Sequence, residues 1–223
     1  MKKLLSLFIF CLLLNPNSEL KAQGPTKAGT ADQSGLMLSG GVFMTDFRDV
    51  NSHIALFGKT NGFQEMYFAA GIHLIYPKSI KFYAWKGMIG FDVILPQTSS
   101  AGDSMFFRMR GWHLMTSLFA KDVLRRNSKA ALEFAPGIEW GKLKMREYSV
   151  TRTFDYRDVM ISPFFRMEFR YIIKRLVIGA RVLYRYDITS PKWKCDDAAN
   201  PGLGKTSATG PAFQFFIGMG RAA

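Results

Sequence analysis

The sequence predicts an all-β protein: an eight-stranded antiparallel transmembrane β-barrel with short periplasmic turns and four longer external loops. Three observations favour this fold class. Apolar and polar residues alternate with a period of two in eight segments, which indicates strands with two different faces. The apolar faces are often aromatic, whereas the opposite faces combine arginine with glycine, alanine and serine. The chain also opens with a segment typical of exported proteins.

The start of the 223-residue chain has the features of a secretory signal peptide. Two lysines precede an apolar run over residues 4–14, and an Asn-Pro pair ends that run. The run is too short to span a bilayer. We therefore expect a signal peptide over 1–22 with cleavage after Ala22, a short N-terminal segment over 23–34 and a barrel over 35–223. Export would place the barrel in the outer membrane of a Gram-negative bacterium.

Charge and cysteine content restrict the partners. The formal net charge is +13, and the signal segment carries three lysines and one glutamate, so the remainder keeps +11. Because an exported protein does not meet nucleic acid, we expect membrane lipid and an acidic periplasmic or extracellular partner instead. Cys195 alone remains after cleavage, so no internal disulfide is expected. His53, His73 and His113 lack metal-ligand spacing, and we expect a monomer without metal or cofactor.

The strands follow in chain order, each predicted from its alternation. The first, "GLMLSGGVFMTDF", and the last, "PAFQFFIGMG", alternate more weakly than the six between them. The side chains predicted to face lipid are Met66, Phe68, Ala70, Ile72, Leu74 and Tyr76; Tyr83, Trp85, Ile89, Phe91, Val93 and Leu95; Phe107, Met109, Met115 and Phe119; Leu132, Phe134, Ile138 and Trp140; Val159, Ile161, Phe165, Met167, Phe169 and Tyr171; Ile178, Ala180, Val182, Tyr184 and Tyr186; and Phe213, Phe215, Ile217 and Met219.

The opposite faces predict a lumen lined with charge. The candidate lumen residues are Glu65, Lys86, Asp92, Arg108, Arg110, Glu133, Glu139, Arg166, Glu168, Arg170, Arg181, Arg185 and Asp187. Eight strands enclose an interior just wide enough for side chains, so these nearly balanced charges are expected to pair and close the lumen. An ion path is the alternative, which the small diameter disfavours. If Lys174-Arg175 forms the turn, Glu168 lies directly across the ladder from Arg181.

The two ends of the barrel carry different signals. The short-turn end is basic, and the candidate periplasmic rim residues are Lys78, Lys121, Arg125, Arg126, Lys174 and Arg175. Such charge is commonly interfacial, beside lipid headgroups, but it could also dock an acidic partner. The opposite end is predicted to carry the loops 48–61, 96–103, 147–157 and 189–210. The last is the longest and contains Trp193, which we take as the candidate external contact.

From residue 35 onward, the chain resembles the small eight-stranded outer-membrane barrels: the OmpX and OmpA membrane domains and the PorT-like family. The resemblance is one of architecture, carried by the alternating strands and by connections that alternate long and short. One departure is the C-terminus, which ends "GRAA" where many such barrels end in an aromatic residue; the nearest aromatic is Phe216.

These patterns predict a non-enzymatic outer-membrane barrel with a closed lumen, either structural or an interaction platform. A lipid-modifying acyl hydrolase or transferase is one alternative, and it needs a lipid-facing Ser–His–acid cluster. His113 and Ser117 share the predicted lipid face, but four strand residues separate them by about 13 Å, and no acid is evident beside them. A secreted soluble barrel that binds an apolar ligand is the other alternative.

Overall fold

A computed structural model of the chain describes residues 35–58, 60–80, 83–102, 105–126, 130–189, 193–197 and 203–220. Within these ranges the side chains at 60, 77–80, 83–86, 118–119, 121–126 and 220 fall outside the description. The predicted signal peptide over 1–22 and the N-terminal segment over 23–34 also lie outside the described residues.

Eight long antiparallel strands form a closed barrel, which confirms the predicted all-β, eight-stranded architecture. Two short strands and one helix accompany them at the loop end. In chain order the elements are β1 (Gly35–Met44), α1 (Arg48–Ala55), β2 (Thr60–Asn61), β3 (Met66–Ile80), β4 (Tyr83–Ala101), β5 (Met105–Arg126), β6 (Ala130–Tyr148), β7 (Thr153–Ile173), β8 (Leu176–Arg185), β9 (Lys194–Cys195) and β10 (Gly210–Gly220). Each long strand pairs with the next one along the chain, and the β1–β10 pairing closes the barrel.

Alternation of side chains explains why these segments form strands of one barrel. Phe169 points outward and is 50% exposed, whereas its neighbour Arg170 points inward and is 0% exposed. The same inversion, with apolar residues outside and polar residues inside, holds over the middle of β3, β4, β6, β7 and β8, but not at the loop end of β6 and β7, where Lys144, Arg146 and Arg157 face outward. Since successive side chains on a strand point to opposite faces, one sequence pattern supplies both surfaces.

The turn between β7 and β8 has the predicted register. Ile173 pairs with Leu176, and Glu168 lies opposite Arg181, which confirms that prediction. Lys174 adopts a φ of 57°, in the left-handed region that disfavours side chains with a Cβ. The two-residue turn therefore fixes the pairing of the two strands at some cost in backbone strain.

Strand β5 corrects the predicted orientation of one segment. Phe107, Met109 and Met115 are buried inside the barrel, whereas Arg108 and Arg110 are exposed on its outer surface. The segment carries large apolar residues in both phases, so alternation alone did not decide which phase faces inward. The pairing of β5 with β6 decides it, because it aligns Met109 with the inward-facing Met145.

Two of the four predicted external loops are instead strand. β4 continues to Ala101, so most of 96–103 lies in the sheet, and the connection after β6 is only residues 149–152. The strand signal is lost in the sequence because neighbouring positions on both faces are polar there, as in the run "QTSS" over residues 97–100.

The two remaining loops fold over the loop end of the barrel. The α1 segment buries Phe47, Val50 and Ile54, and the last loop buries Trp193 and Leu203. Backbone hydrogen bonds between Asp46 and Ser207 tie the two loops together. We call this packed layer the cap. Within the described part of the chain, no helix is long and apolar enough to cross a membrane.

Candidate functional site

The barrel interior holds a cluster of arginines and glutamates at its turn-side half. Glu168 lies 3.0 Å from Arg181, 3.2 Å from Arg170 and 3.3 Å from Arg166, measured between carboxylate oxygens and guanidinium nitrogens. Arg166 and Arg170 also bind the carboxylate of Glu133. Because β7 contributes three of these five residues at alternate positions, one strand supplies most of the cluster. We call it the arginine–glutamate cluster.

A second group surrounds the carboxylate of Asp92 near the middle of the barrel. Its oxygens lie 2.9 Å from Nε2 of His73, accept a 3.0 Å hydrogen bond from Ser39 and accept a 3.2 Å hydrogen bond from Gln214. Gly90 faces the same space, and a Cβ at that position would collide with the imidazole of His73. The inward glycine therefore makes room for the larger groups around it.

A third group closes the interior beneath the cap. The guanidinium of Arg185 lies 3.2 Å from Glu139, donates a 2.8 Å hydrogen bond to the hydroxyl of Tyr67 and donates a 2.6 Å bond to the carbonyl of Met44. Its carbon also lies 4.8 Å above the ring of Phe43, a cation–π contact. Arg185 is thus held by an ion pair, two hydrogen bonds and an aromatic face.

Charges of both signs fill the interior within the described residues, and water has little access to them. Four arginines and four carboxylates that point inward are at most 1% exposed: Arg166, Arg170, Arg181, Arg185, Asp92, Glu133, Glu139 and Glu168. Two more carboxylates, Glu147 and Asp158, point inward nearer the loop end and are 5% and 4% exposed. A water-filled channel would leave its lining side chains accessible to water. The arrangement can therefore cross-link the barrel wall and obstruct the lumen.

Nine of the thirteen candidate lumen residues are buried. Eight form the groups above, and the ninth, Asp187, lies beyond β8 in the cap, where it accepts hydrogen bonds from the backbone N–H groups of Thr189 and Ala208. Glu65 is exposed just before β3, so its placement in the lumen was wrong. The lumen placement of Arg108 and Arg110 was also wrong, as strand β5 shows.

The remaining candidates divide between exposed, buried and undescribed side chains. Lys174 and Arg175 are exposed at the turn, whereas the side chains of Lys78, Lys86, Lys121, Arg125 and Arg126 lie outside the described residues. Trp193 is 1% exposed, and its indole N–H donates a hydrogen bond to Thr206 inside the cap. Its assignment as an external contact was therefore wrong: the loop folds back onto the barrel and buries it.

Sequence reasoning missed the buried carboxylates Glu147 and Asp158, and it placed two interior residues on the wrong face. His113 and Ser117 were predicted on the lipid face, but both are buried inside, at 0% and 1% exposed. Nδ1 of His113 lies 3.6 Å from Glu139 and 3.7 Å from Asp92, so the imidazole joins the second and third groups. The available signal was Asp92, which faces inward and lies directly opposite His113 on the adjacent strand.

Among the residues that the structure describes, no three histidine, cysteine, aspartate or glutamate side chains are grouped as a metal site would require.

Comparison with known proteins yields a likeness of architecture. No protein-family model matches the chain, and no curated protein matches it. Among solved structures, the crystal structure of Ail, the attachment invasion locus protein of Yersinia pestis, is similar with a TM-score of 0.43 and 13% sequence identity. The similarity covers 85% of this chain and 97% of the Ail chain.

Proposed function

We propose that this chain is a non-enzymatic outer-membrane β-barrel with a closed lumen, which serves as a structural element or as an interaction platform. The single observation that carries the proposal is the inverted distribution of polarity. Large apolar side chains cover the outside of the barrel over its middle and turn-side parts, whereas a network of arginines and carboxylates lies within it.

The outer surface supports insertion into a bilayer. Apolar and aromatic side chains that are 37% exposed or more project outward from all eight long strands. Among them are Leu38, Phe68, Phe91, Phe106, Trp140, Phe169, Tyr184 and Phe215. A surface of this extent is stable when hydrocarbon covers it, and a closed sheet leaves no unpaired edge within the bilayer.

The interior supports a closed lumen. The arginine–glutamate cluster, the group around Asp92 and the group around Arg185 follow one another along the barrel axis. Contacts between strands that are not neighbours cross the interior: Arg181 of β8 lies 2.7 Å from His73 of β3, and Arg185 of β8 lies 3.2 Å from Glu139 of β6. Transport of solutes would require these contacts to break, so the barrel acts through its surfaces and ends.

The two rival functions fit the geometry less well. An acyl hydrolase or transferase would need a lipid-facing Ser–His pair, whereas His113 and Ser117 both point into the barrel. A soluble carrier of apolar ligands would need an apolar cavity inside, whereas charged groups occupy this interior and the apolar surface lies outside.

The membrane assignment predicts that the mature protein requires detergent or lipid to stay folded. Circular dichroism should show almost pure β-structure, and the folded form should co-float with phosphatidylcholine vesicles in a density gradient. A folded, monodisperse preparation in plain buffer would overturn the assignment.

The closed lumen predicts an absence of channel activity. In planar-bilayer recordings the purified protein should give no stable, large single-channel steps. A Glu168→Gln/Arg181→Met variant serves as the comparison, because it removes two of the charged side chains that block the interior. Regular large steps from the unaltered protein would contradict the closed-lumen proposal.

The basic turn-side rim supports a second, narrower interaction. Lys174 and Arg175 are exposed there and could bind an acidic periplasmic partner. Cross-linking from a photoreactive residue at position 175 in native membranes should capture such a partner. A Lys174→Gln variant should lose this cross-link, whereas a Lys205→Gln variant at the cap end should keep it. That result would support the rim as the binding site of the partner.

A further inference from the structure

Five basic side chains project from the outer wall of the barrel at its loop end. They come from β5, β6 and β7 and are exposed: Arg108, Arg110, Lys144, Arg146 and Arg157. Together with Asp155 and Tyr148 they line a hollow of about 180 Å³. We call these five residues the external basic patch. With Asp155 as the acidic side chain of the lining, the hollow has a formal charge of +4.

Positive charges of the patch face one another directly across the sheet. Arg108 pairs with Arg146, and Arg110 pairs with Lys144. Lys144 pairs on its other side with Arg157. Like charges directly opposite on adjacent strands destabilise a sheet. Three such pairs side by side therefore indicate a place where a bound anion offsets the repulsion.

The protein's own carboxylates neutralise only part of this charge. Asp155 binds Arg146 through two contacts of 2.6 and 2.9 Å, and Asp196 lies 2.9 Å from Arg157. Both carboxylate oxygens of Asp155 contact Arg146, so this carboxylate already has its partner. Arg108, Arg110 and Lys144 have no ion pair within the described part of the chain.

The height of the patch on the wall identifies the environment of its ligand. Trp112 lies two residues after Arg110 on β5 and therefore on the same face of the strand. Its ring centroid lies 5.5 Å from that of Trp140 and 6.0 Å from that of Phe91. Tryptophan is enriched where a bilayer meets water. The basic side chains begin immediately beyond this aromatic group and point outward, so they lie at the depth of the outer-leaflet headgroups.

We propose that the external basic patch binds the phosphate groups of a phosphorylated glycolipid in the outer leaflet, an inference that rests on the proposed membrane location. Guanidinium groups bind phosphate through paired hydrogen bonds, and Arg108 and Arg110 are available to do so. A soluble acidic protein would approach the cap from above, whereas the patch lies on the side wall beside the lipid. Charge and position together therefore favour a lipid headgroup.

The test measures binding of bisphosphorylated lipid A to the folded protein in zwitterionic detergent. The test variant is Arg110→Gln/Lys144→Gln, which removes two of the three opposed pairs because Lys144 lies opposite both Arg110 and Arg157. The matched control is Lys174→Gln/Arg175→Gln, which removes the same charge from exposed positions at the opposite end. We expect the test variant to bind about tenfold more weakly or worse, as loss of charge-assisted contacts implies, and the control to bind as the unaltered protein does.

Two further arms identify the ligand. Dephosphorylated lipid A should bind the unaltered protein about tenfold more weakly or worse than the bisphosphorylated form. Millimolar inorganic phosphate and an acidic polypeptide, polyglutamate, should fail to displace bisphosphorylated lipid A. Equal binding by the test variant and the control, or equal binding with and without lipid phosphates, would overturn the proposal. Displacement by phosphate or polyglutamate would overturn the assignment to a lipid.

Failure of this inference is distinguishable from failure of the membrane assignment. Flotation with pure phosphatidylcholine vesicles tests insertion without any phosphorylated glycolipid. A protein that floats but shows no preference for lipid phosphates refutes only the external basic patch. A protein that does not float refutes the proposed function first. Circular dichroism of each variant verifies that the barrel is folded, and the arm with dephosphorylated lipid needs no variant.

Discussion

Replacement of Glu168 by glutamine should destabilise the barrel strongly, because it removes the carboxylate at the centre of the arginine–glutamate cluster. Glu168 is 0% exposed and has three guanidinium groups within 3.0–3.3 Å. Glutamine keeps the shape but not the charge, so Arg166 and Arg170 would share Glu133 while Arg181 would lose its ion-pair partner. Leaving a buried charge unpaired costs about 3–5 kcal/mol, and we expect a loss of that size in the free energy of unfolding.

Urea unfolding in detergent, followed by tryptophan fluorescence, would measure this loss. Asp155→Asn is the matched control, because it removes a carboxylate from the pair with Arg146, whose side chains are 41% and 44% exposed. Exposed pairs contribute at most about 1 kcal/mol. Arg181→Met should lower the free energy of unfolding less than Glu168→Gln does, since Glu168 keeps two arginines in the first variant. The double variant should lower it by less than the sum of the two single effects. Equal effects of Glu168→Gln and Asp155→Asn would refute a buried, tightly paired cluster.

Three smaller changes test other parts of the fold by the same unfolding measurement. Gly90→Ala should cost about 1–3 kcal/mol because its Cβ collides with His73, whereas Gly40→Ala, where a Cβ meets open space, should cost little; equal effects would contradict the close packing. Lys174→Gly should stabilise by about 0.5–1 kcal/mol by relieving the left-handed φ of 57°, and a loss of stability would argue against strain there. Trp193→Phe should cost about 1–3 kcal/mol by leaving a buried threonine hydroxyl without its indole donor; an unchanged stability would mean that the cap does not depend on that bond.

Much of the barrel could be predicted from the sequence, because its central strands separate apolar and polar residues without ambiguity. The pairing of Glu168 with Arg181 followed from this separation and from a two-residue turn. The predicted lumen placement was wrong for Arg108 and Arg110, which lie closer to the loop end than the rings of Trp112, Trp140 and Phe91. There the inward-facing Phe107 and Met109 join the buried hydrophobic cluster that includes Phe47 and Trp193 of the cap, so the rule that apolar residues face outward no longer holds.

The long loops could not be predicted for a related reason. Trp193 stands in a segment rich in lysine, aspartate, glycine and proline, which is typical of a solvated loop. Its burial depends on the distant α1 segment, to which the Asp46–Ser207 bridge ties this loop. Local composition carries no information about such a contact, and sequence reasoning therefore mistook a packing residue for a binding residue.

The charge distribution explains why the outer wall is the place to look for a ligand. Inside the described barrel four buried arginines face six buried carboxylates, Glu147 and Asp158 included, so the described interior contributes no part of the excess of +13 that the whole chain carries. That excess must therefore lie outside the interior network. The external basic patch holds part of it in an arrangement that opposes like charges across the sheet. The buried arginines lie beside carboxylates of the protein itself, whereas the protein's own carboxylates neutralise only part of the positive charge of the patch. If lipid phosphates neutralise the remainder, raising the salt concentration should weaken lipid A binding while leaving the shielded interior pairs, and hence the fold, unaffected.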